Sequence, residues 1–179
     1  MDYAKLAADW QGGDRGAGNE LFSALGSELR AAAAALLRHE RNCSLSSGDL
    51  VNEAILKLFR LNAMDLQSRA HILALTSRVM RRILIDEARK RGTVKRNHAA
   101  ITLTTNVAQW EMPVDLMMIE AALQDLARID PQRAQIVEMR FFGGMSTGDI
   151  AAVLNVSEPT VKRLWASTRA WLRHRLGQP

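Results

Sequence analysis

Apolar residues return every three or four positions along most of this chain, the spacing of one face of a helix. Leu6 and Trp10, one turn apart, mark a short helix over residues 2–11, stopped by Gly12 and Gly13. Asp14 is placed to cap the next element. Leu21, Phe22, Leu25, Leu29, Ala33, Leu36 and Leu37 keep the helical period over residues 19–41. The small polar stretch from Asn42 to Gly48 reads as a loop. Leu50, Val51, Ala54, Ile55, Leu58 and Phe59 form the inward stripe of a helix over about 48–61. A third strong helix spans about 68–91, with Ile72, Leu75, Val79, Ile83 and Leu84 inward. Its other face carries Arg78, Arg81, Arg82, Arg89, Lys90 and Arg91.

Between Gly92 and Pro113 the helical period disappears and Thr and Asn take over. Residues 92–113 therefore read as a linker between a first domain, 1–91, and a second, 114–179. The second domain shows four shorter helices. One covers about 114–128, with Leu116, Ile119, Ala122, Leu123 and Leu126 inward. Asp130 caps the next and Pro131 takes its first position, where its missing N–H costs nothing. Gly143 and Gly144 end that helix at Phe142; a third follows Ser146 and ends near Leu154; the last runs from about Ser157 to Leu176. The fold class is all-α: two small helical domains joined by a flexible basic and polar linker.

Composition supports this. Hydrophobic residues make up 47% of the 179 positions but aromatics only 5%, a balance that favours helices over strands. The net charge of +5 is a mild signal for an anionic partner. Its distribution says more, because Arg78 to Arg96 and Lys162 to Arg175 concentrate the cations. A single cysteine, Cys43, forbids an internal disulfide and fits a reducing cytoplasm. The N-terminus lacks the long apolar run of a signal peptide, and no stretch approaches a membrane span. His39, His71, His98 and His174 are dispersed and no phosphate-cradling glycine loop occurs, so no catalytic residue, metal or cofactor is expected.

The stretch from Met145 to Leu172 carries the chemistry. A short helix places Ile150, Ala151 and Leu154 inward, and a tight turn passes through Asn155 and Val156. Ser157 then caps a second helix, whose Val161 and Leu164 point back at the first. This is helix-turn-helix geometry. The second helix offers Glu158, Thr160, Lys162 and Arg163 outward, side chains that reach phosphates and base edges in a major groove. Two cations near a helix start oppose the dipole, a cost that an anionic ligand offsets. The bland reading is a helical hairpin with a solvated face. The cap, the small residue, the turn plug and the basic face together favour DNA. Arg169, Arg173 and Arg175 read equally well as backbone contacts or solvated charges.

The segment DPQRAQIVEMRFFGGMSTGDIAAVLNVSEPTVKRLWASTRAWL resembles the promoter −35 domain of the extracytoplasmic-function (ECF) sigma factors. GDLVNEAILKLFR resembles the polymerase-docking helix of that family, and RVMRRILIDEARKR its promoter −10 helix, in the right order. The stretch QSRAHILALTSRVMRRILIDEARKR with the ending TRAWLRHRL is similar to a subgroup found with Ser/Thr protein kinases. The resemblance implies a protein that binds core RNA polymerase, through the β′ clamp helices and the β flap, and directs it to promoters. It implies −35 recognition by Thr160, Lys162, Arg163 and Ser167, and −10 contact by Arg78, Arg81, Arg82 and Arg69, with His71 beside them. Polymerase docking falls to Asp49, Asn52 and Glu53, where the family carries a denser acidic cluster and this chain has Ser46, Ser47 and Gly48. Phosphorylation of Ser46 or Ser47 would add about −1.5 to −2 charges there; the plainer reading makes both serines loop and cap residues. An aromatic common in the family is replaced by Leu75. Regulation by an anti-sigma factor and by a Ser/Thr kinase are both open. The alternative is a stand-alone helix-turn-helix regulator, which predicts dimers and palindromic sites. A third reading, a partner-binding bundle, predicts no salt-dependent DNA binding.

Overall fold

The computed structural model describes residues 1–38, 45–60, 66–94, 100–102 and 113–177, with only the backbone at 91–94, 100–102, 113 and 114. These residues form helices α1 (Tyr3–Gln11), α2 (Arg15–Leu37), α3 (Ser47–Leu58) and α4 (Arg69–Val94) in the first half. The second half holds α5 (Leu116–Ile129), α6 (Pro131–Phe141), α7 (Thr147–Leu154) and α8 (Glu158–Arg175). Between them β1 (Ala100–Thr102) pairs antiparallel with β2 (Pro113–Asp115), Ile101 opposite Val114.

Short polar side chains decide where most helices start. Asp2, Asp14, Ser46, Asp115, Asp130, Ser146 and Ser157 each accept a backbone N–H of the first turn, filling donors that have no partner within the helix. Asp14 begins α2 four residues earlier than the apolar period alone indicates, by accepting from Gly16 and Ala17 at 2.7 and 3.2 Å. Gly18 in that early turn makes room: a Cβ there would lie 2.7 Å from Trp10 Cδ1. Trp10 packs edge-on against Phe22 and Phe59 with centroids 5.1 and 5.0 Å away, clasping α1 to α2 and α3.

Some residues of the expected linker take regular structure. Helix α4 continues through Gly92 to Val94; a glycine costs a helix about 1 kcal/mol relative to alanine, which weakens a turn without ending it. The ribbon then pairs residues on either side of 103–112, and 95–99 and 103–112 lie outside the described residues.

Helix α4 is the centre of the molecule. Leu73, Met80 and Ile85 are buried as well as the expected Ile72, Val79, Ile83 and Leu84. A helix apolar on more than one face has to lie between layers. It packs against α2 and α3 on one side and α5, α6 and α7 on the other. The buried residues of both halves consequently form one continuous core, from Leu21, Leu25 and Leu50 through Met80 to Ile136, Phe142 and Val161. The α6–α7 turn approaches α4 so closely that a Cβ at Gly143 would collide with Ser77 Oγ. Gly144 beside it takes φ +59°, a conformation that glycine adopts without a Cβ clash.

Candidate nucleic-acid interface

Helices α7 and α8 form a tightly specified corner. Ser146 and Asp149 make a reciprocal capping box at the start of α7. At its other end Asn155 adopts the left-handed conformation, φ 51° and ψ 48°, and its N–H returns to the Ala151 carbonyl. Asparagine is among the few residues that enter this region at low cost, so it serves where glycine is usual. Val156 donates to the same carbonyl at 3.1 Å, which turns the chain directly into the Ser157 cap of α8. Ile150 and Val161 are fully buried across the corner and Ala151 nearly so.

The back of α8 is held by α6. Val161, Trp165, Thr168 and Leu172 are its buried stripe. Trp165 meets Phe141 at 5.5 Å, and the Arg140 guanidinium lies 5.7 Å from the Trp165 ring. Burial pushes the Arg140 guanidinium pKa down, although the cation keeps a hydrogen bond to Thr147 Oγ1 at 2.5 Å.

This packing decides what α8 presents. Lys162, Arg163 and Ser167 are exposed on the outer face, and among the described residues Lys162 and Arg163 make no ion pair. Ser167 Oγ donates to the Leu164 carbonyl at 3.0 Å, leaving its lone pairs outward. Thr160 sits differently from the other three. It is half-buried, and its hydroxyl lies 2.9 Å from Ser157 Oγ within the cap. Arg175 is tied to Asp125 of α5 at 2.8 Å.

The basic residues of α4 divide in the same way. Arg82 is exposed and makes no ion pair among the described residues. Arg78 and Arg81 face Glu138 and Glu120, and Arg69 holds Glu28 and Asp149. The hydrogen bond to Glu28, helped by the nearby Asp149 charge, raises the Arg69 pKa further against the opposing effect of burial. These carboxylates stand far from the arginines in sequence, so the helix reads as a plain basic face until the chain folds. His71 is half-buried, with Nδ1 2.9 Å from Ser68 Oγ.

On α3, Asn52 is exposed and Glu53 pairs with Lys57 at 3.2 Å. Asp49 is exposed but engaged: its Oδ2 accepts from Ser46 N and Ser46 Oγ at 2.9 and 2.7 Å. Those two bonds hold its carboxyl below the usual aspartate pKa. Leu56 lies on the same outer stripe and is 59% exposed, a residue that the sequence reading passed over. Its signal was present, since it interrupts the polar side of the period that runs through Asp49, Asn52 and Glu53.

No helix among the described residues is long and apolar enough to cross a membrane. Comparison with curated proteins finds no match. The family model described as ECF sigma factor matches residues 1–178, which is nearly the whole chain. The helical fold is consistent with that family, and the chain belongs to the ECF sigma factors, proteins that bind core RNA polymerase and promoter DNA and direct promoter recognition and transcription initiation.

Proposed function

We propose that the two halves read separate promoter elements, divided at residues 92–113, with the second half on the −35 element and the first on the −10 element and the polymerase. The observation that carries this is the outer face of α8, where Lys162 and Arg163 stand exposed beside Ser167 and make no ion pair among the described residues. In a major groove these supply phosphate and base-edge contacts. Thr160 belongs to the same site as a supporting residue, because its hydroxyl shapes the helix start. On the −10 side, Arg82 of α4 is exposed and makes no ion pair among the described residues, with Arg78, Arg81 and Arg69 joining it once their carboxylates let go.

Docking on the polymerase β′ clamp helices is assigned to the stripe of Asp49, Asn52, Glu53 and Leu56 on α3, where an exposed leucine among polar residues suits the centre of an interface. The β flap falls to the second half. The compartment is the cytoplasm, where the polymerase works. Regulation by a Ser/Thr kinase, through the subgroup resemblance, discriminates between the two serines. A phosphate on Ser46 would meet the Asp49 carboxylate that now sits 2.7 Å from its hydroxyl. Ser47, the first residue of α3, would place the charge at a helix N-terminus, where it is favoured. An anti-sigma factor is the competing regulator.

The test is capture of core RNA polymerase by the full chain, followed by run-off transcription on genomic promoters. Stable capture with new, promoter-specific transcripts is the expected result. Capture with transcripts unaffected by Lys162→Ala and Arg163→Ala would remove α8 from the −35 assignment. Operator binding without any polymerase capture would move the reading to a stand-alone regulator.

A further inference from the structure

Helices α4, α6 and α7 leave a cleft of about 330 Å³ between them. Its walls are largely apolar. Ala74 and Leu75 come from α4, Val153 and Leu154 from α7, and all four are half-buried against the core. Two polar side chains of α4 also line it, His71 and Arg78. They stand seven residues apart on one face, about 10 Å along the helix axis at 1.5 Å per residue. The cleft thus has an apolar middle and a nitrogen donor group toward each end.

The Arg78 guanidinium is uncommitted. Arg81 takes the neighbouring carboxylates: its Nε and Nη2 donate to Glu120 Oε2 at 3.0 and 2.7 Å, and its Nη1 to Glu138 Oε2 at 3.1 Å. Arg78 is left with the other Glu138 oxygen, 3.5 Å from its Nε, in an ion pair without a hydrogen bond. Its side chain is 50% exposed, against 18% for Arg81. Among the described residues no acceptor takes the Arg78 N–H groups, and His71, whose Nδ1 is engaged with Ser68 Oγ, has Nε2 unbonded. An unfilled apolar space forfeits the dispersion contacts of a packed core, and an apolar body gains by leaving water for it. A carboxylate at one end of that body suits Arg78, whose planar fork matches two oxygens. A cationic head would meet the like charge of Arg78, and Glu138, the carboxylate on the cleft wall, is already held by Arg81.

We propose that this cleft is a binding site for a small amphiphilic carboxylic acid, with its apolar body between α4 and α7 and its carboxylate on Arg78. The space holds roughly ten groups the size of a water molecule, which sets the body at about the size of decanoate. Binding stands on the cleft alone. Its consequence for transcription, competition between the ligand carboxylate and a DNA phosphate for Arg78, rests on the −10 assignment made above.

The test titrates decanoate, below its micellar concentration, into the full chain by calorimetry, with decanol and decylammonium as controls. Decanoate is expected to bind one to one and about tenfold or more tighter than decanol, with decylammonium weaker still. Ala74→Phe fills the cleft, and Arg78→Met removes the cation but keeps an apolar stem. Each is expected to weaken decanoate by about tenfold or more. Unchanged affinity in both variants, or decylammonium binding as tightly as decanoate, overturns the proposal. Should the variants fail to fold, a diazirine-bearing analogue of decanoate decides on the unaltered chain. Photo-labelling of the α4 and α7 walls that decanoate competes away supports the site, and labelling confined to other segments overturns it. Run-off transcription judges the consequence separately. A fall with decanoate that Ala74→Phe abolishes supports both the site and its competition with DNA. Tight binding with unchanged transcription supports the site and removes Arg78 from the −10 assignment.

Discussion

The outer face of α8 and the outer face of α4 look alike in the sequence, and they end in opposite states. Both are runs of cations on a helix that carries an apolar stripe. On α8 the corner with α7 and the edge-on contact of Trp165 with Phe141 turn Lys162 and Arg163 to solvent, where among the described residues no carboxylate pairs with them. On α4 the packing of the second half brings Glu120, Glu138 and Asp149 onto Arg81, Arg78 and Arg69. A charge run is therefore a poor guide to which cations are available. Availability depends on what the rest of the chain lays over the helix.

The comparison can be broken most strongly at Arg81. Its removal leaves Glu138 and Glu120 mostly buried with their main partner gone, and Arg81→Ala should cost about 2–4 kcal/mol by urea denaturation. Arg82→Ala, on the same helix without a partner, should stay within about 0.5 kcal/mol. Equal effects at the two positions would erase the distinction. The mirror experiment is on α8. Arg163→Ala should leave stability nearly unchanged and weaken −35 binding by roughly 1–3 kcal/mol, with a shallower salt dependence in fluorescence anisotropy.

Smaller effects test the frame that holds each face. Asn155→Ala should destabilise by about 1 kcal/mol because alanine is strained at φ 51°, whereas Asn155→Gly should be nearly neutral. Thermal melts of the two variants separate backbone strain from loss of a side-chain contact. The smallest effect concerns the start of α3. The Asp49 pKa is lowered on folding by its bonds to Ser46. The stabilisation from this group is thus complete above the unfolded aspartate pKa near 3.9 and lost as pH falls through the folded value. Ser46→Ala should abolish that acid-side component, read as a flatter melting temperature below about pH 4.

Much of the fold was legible because its signals are local. Caps such as Asp130 followed by Pro131, or Ser157 before Pro159, depend on a few neighbouring residues, and the observed helices begin there. The corner of α7 and α8 was legible for the same reason: Ile150, Ala151 and Val161 are buried on either side of a single turn. Two boundaries were not. Asp14 started α2 before any apolar stripe announced it, and α4 ran past Gly92. Thr160 reads from the sequence either as an outward contact or as part of the helix start, and its hydroxyl lies 2.9 Å from that of Ser157 at the cap.

Helical class, the order of the elements and a basic face on α8 follow from the sequence by itself, because periodicity, capping and turn chemistry act over a few residues. The state of each arginine on α4 is a tertiary property. Glu120 and Glu138 stand 39 and 57 residues from Arg81 in the chain, and no local pattern pairs them. That the two halves share one core around α4 is also a tertiary result, since a helix apolar on two sides states that it will be covered but not by what.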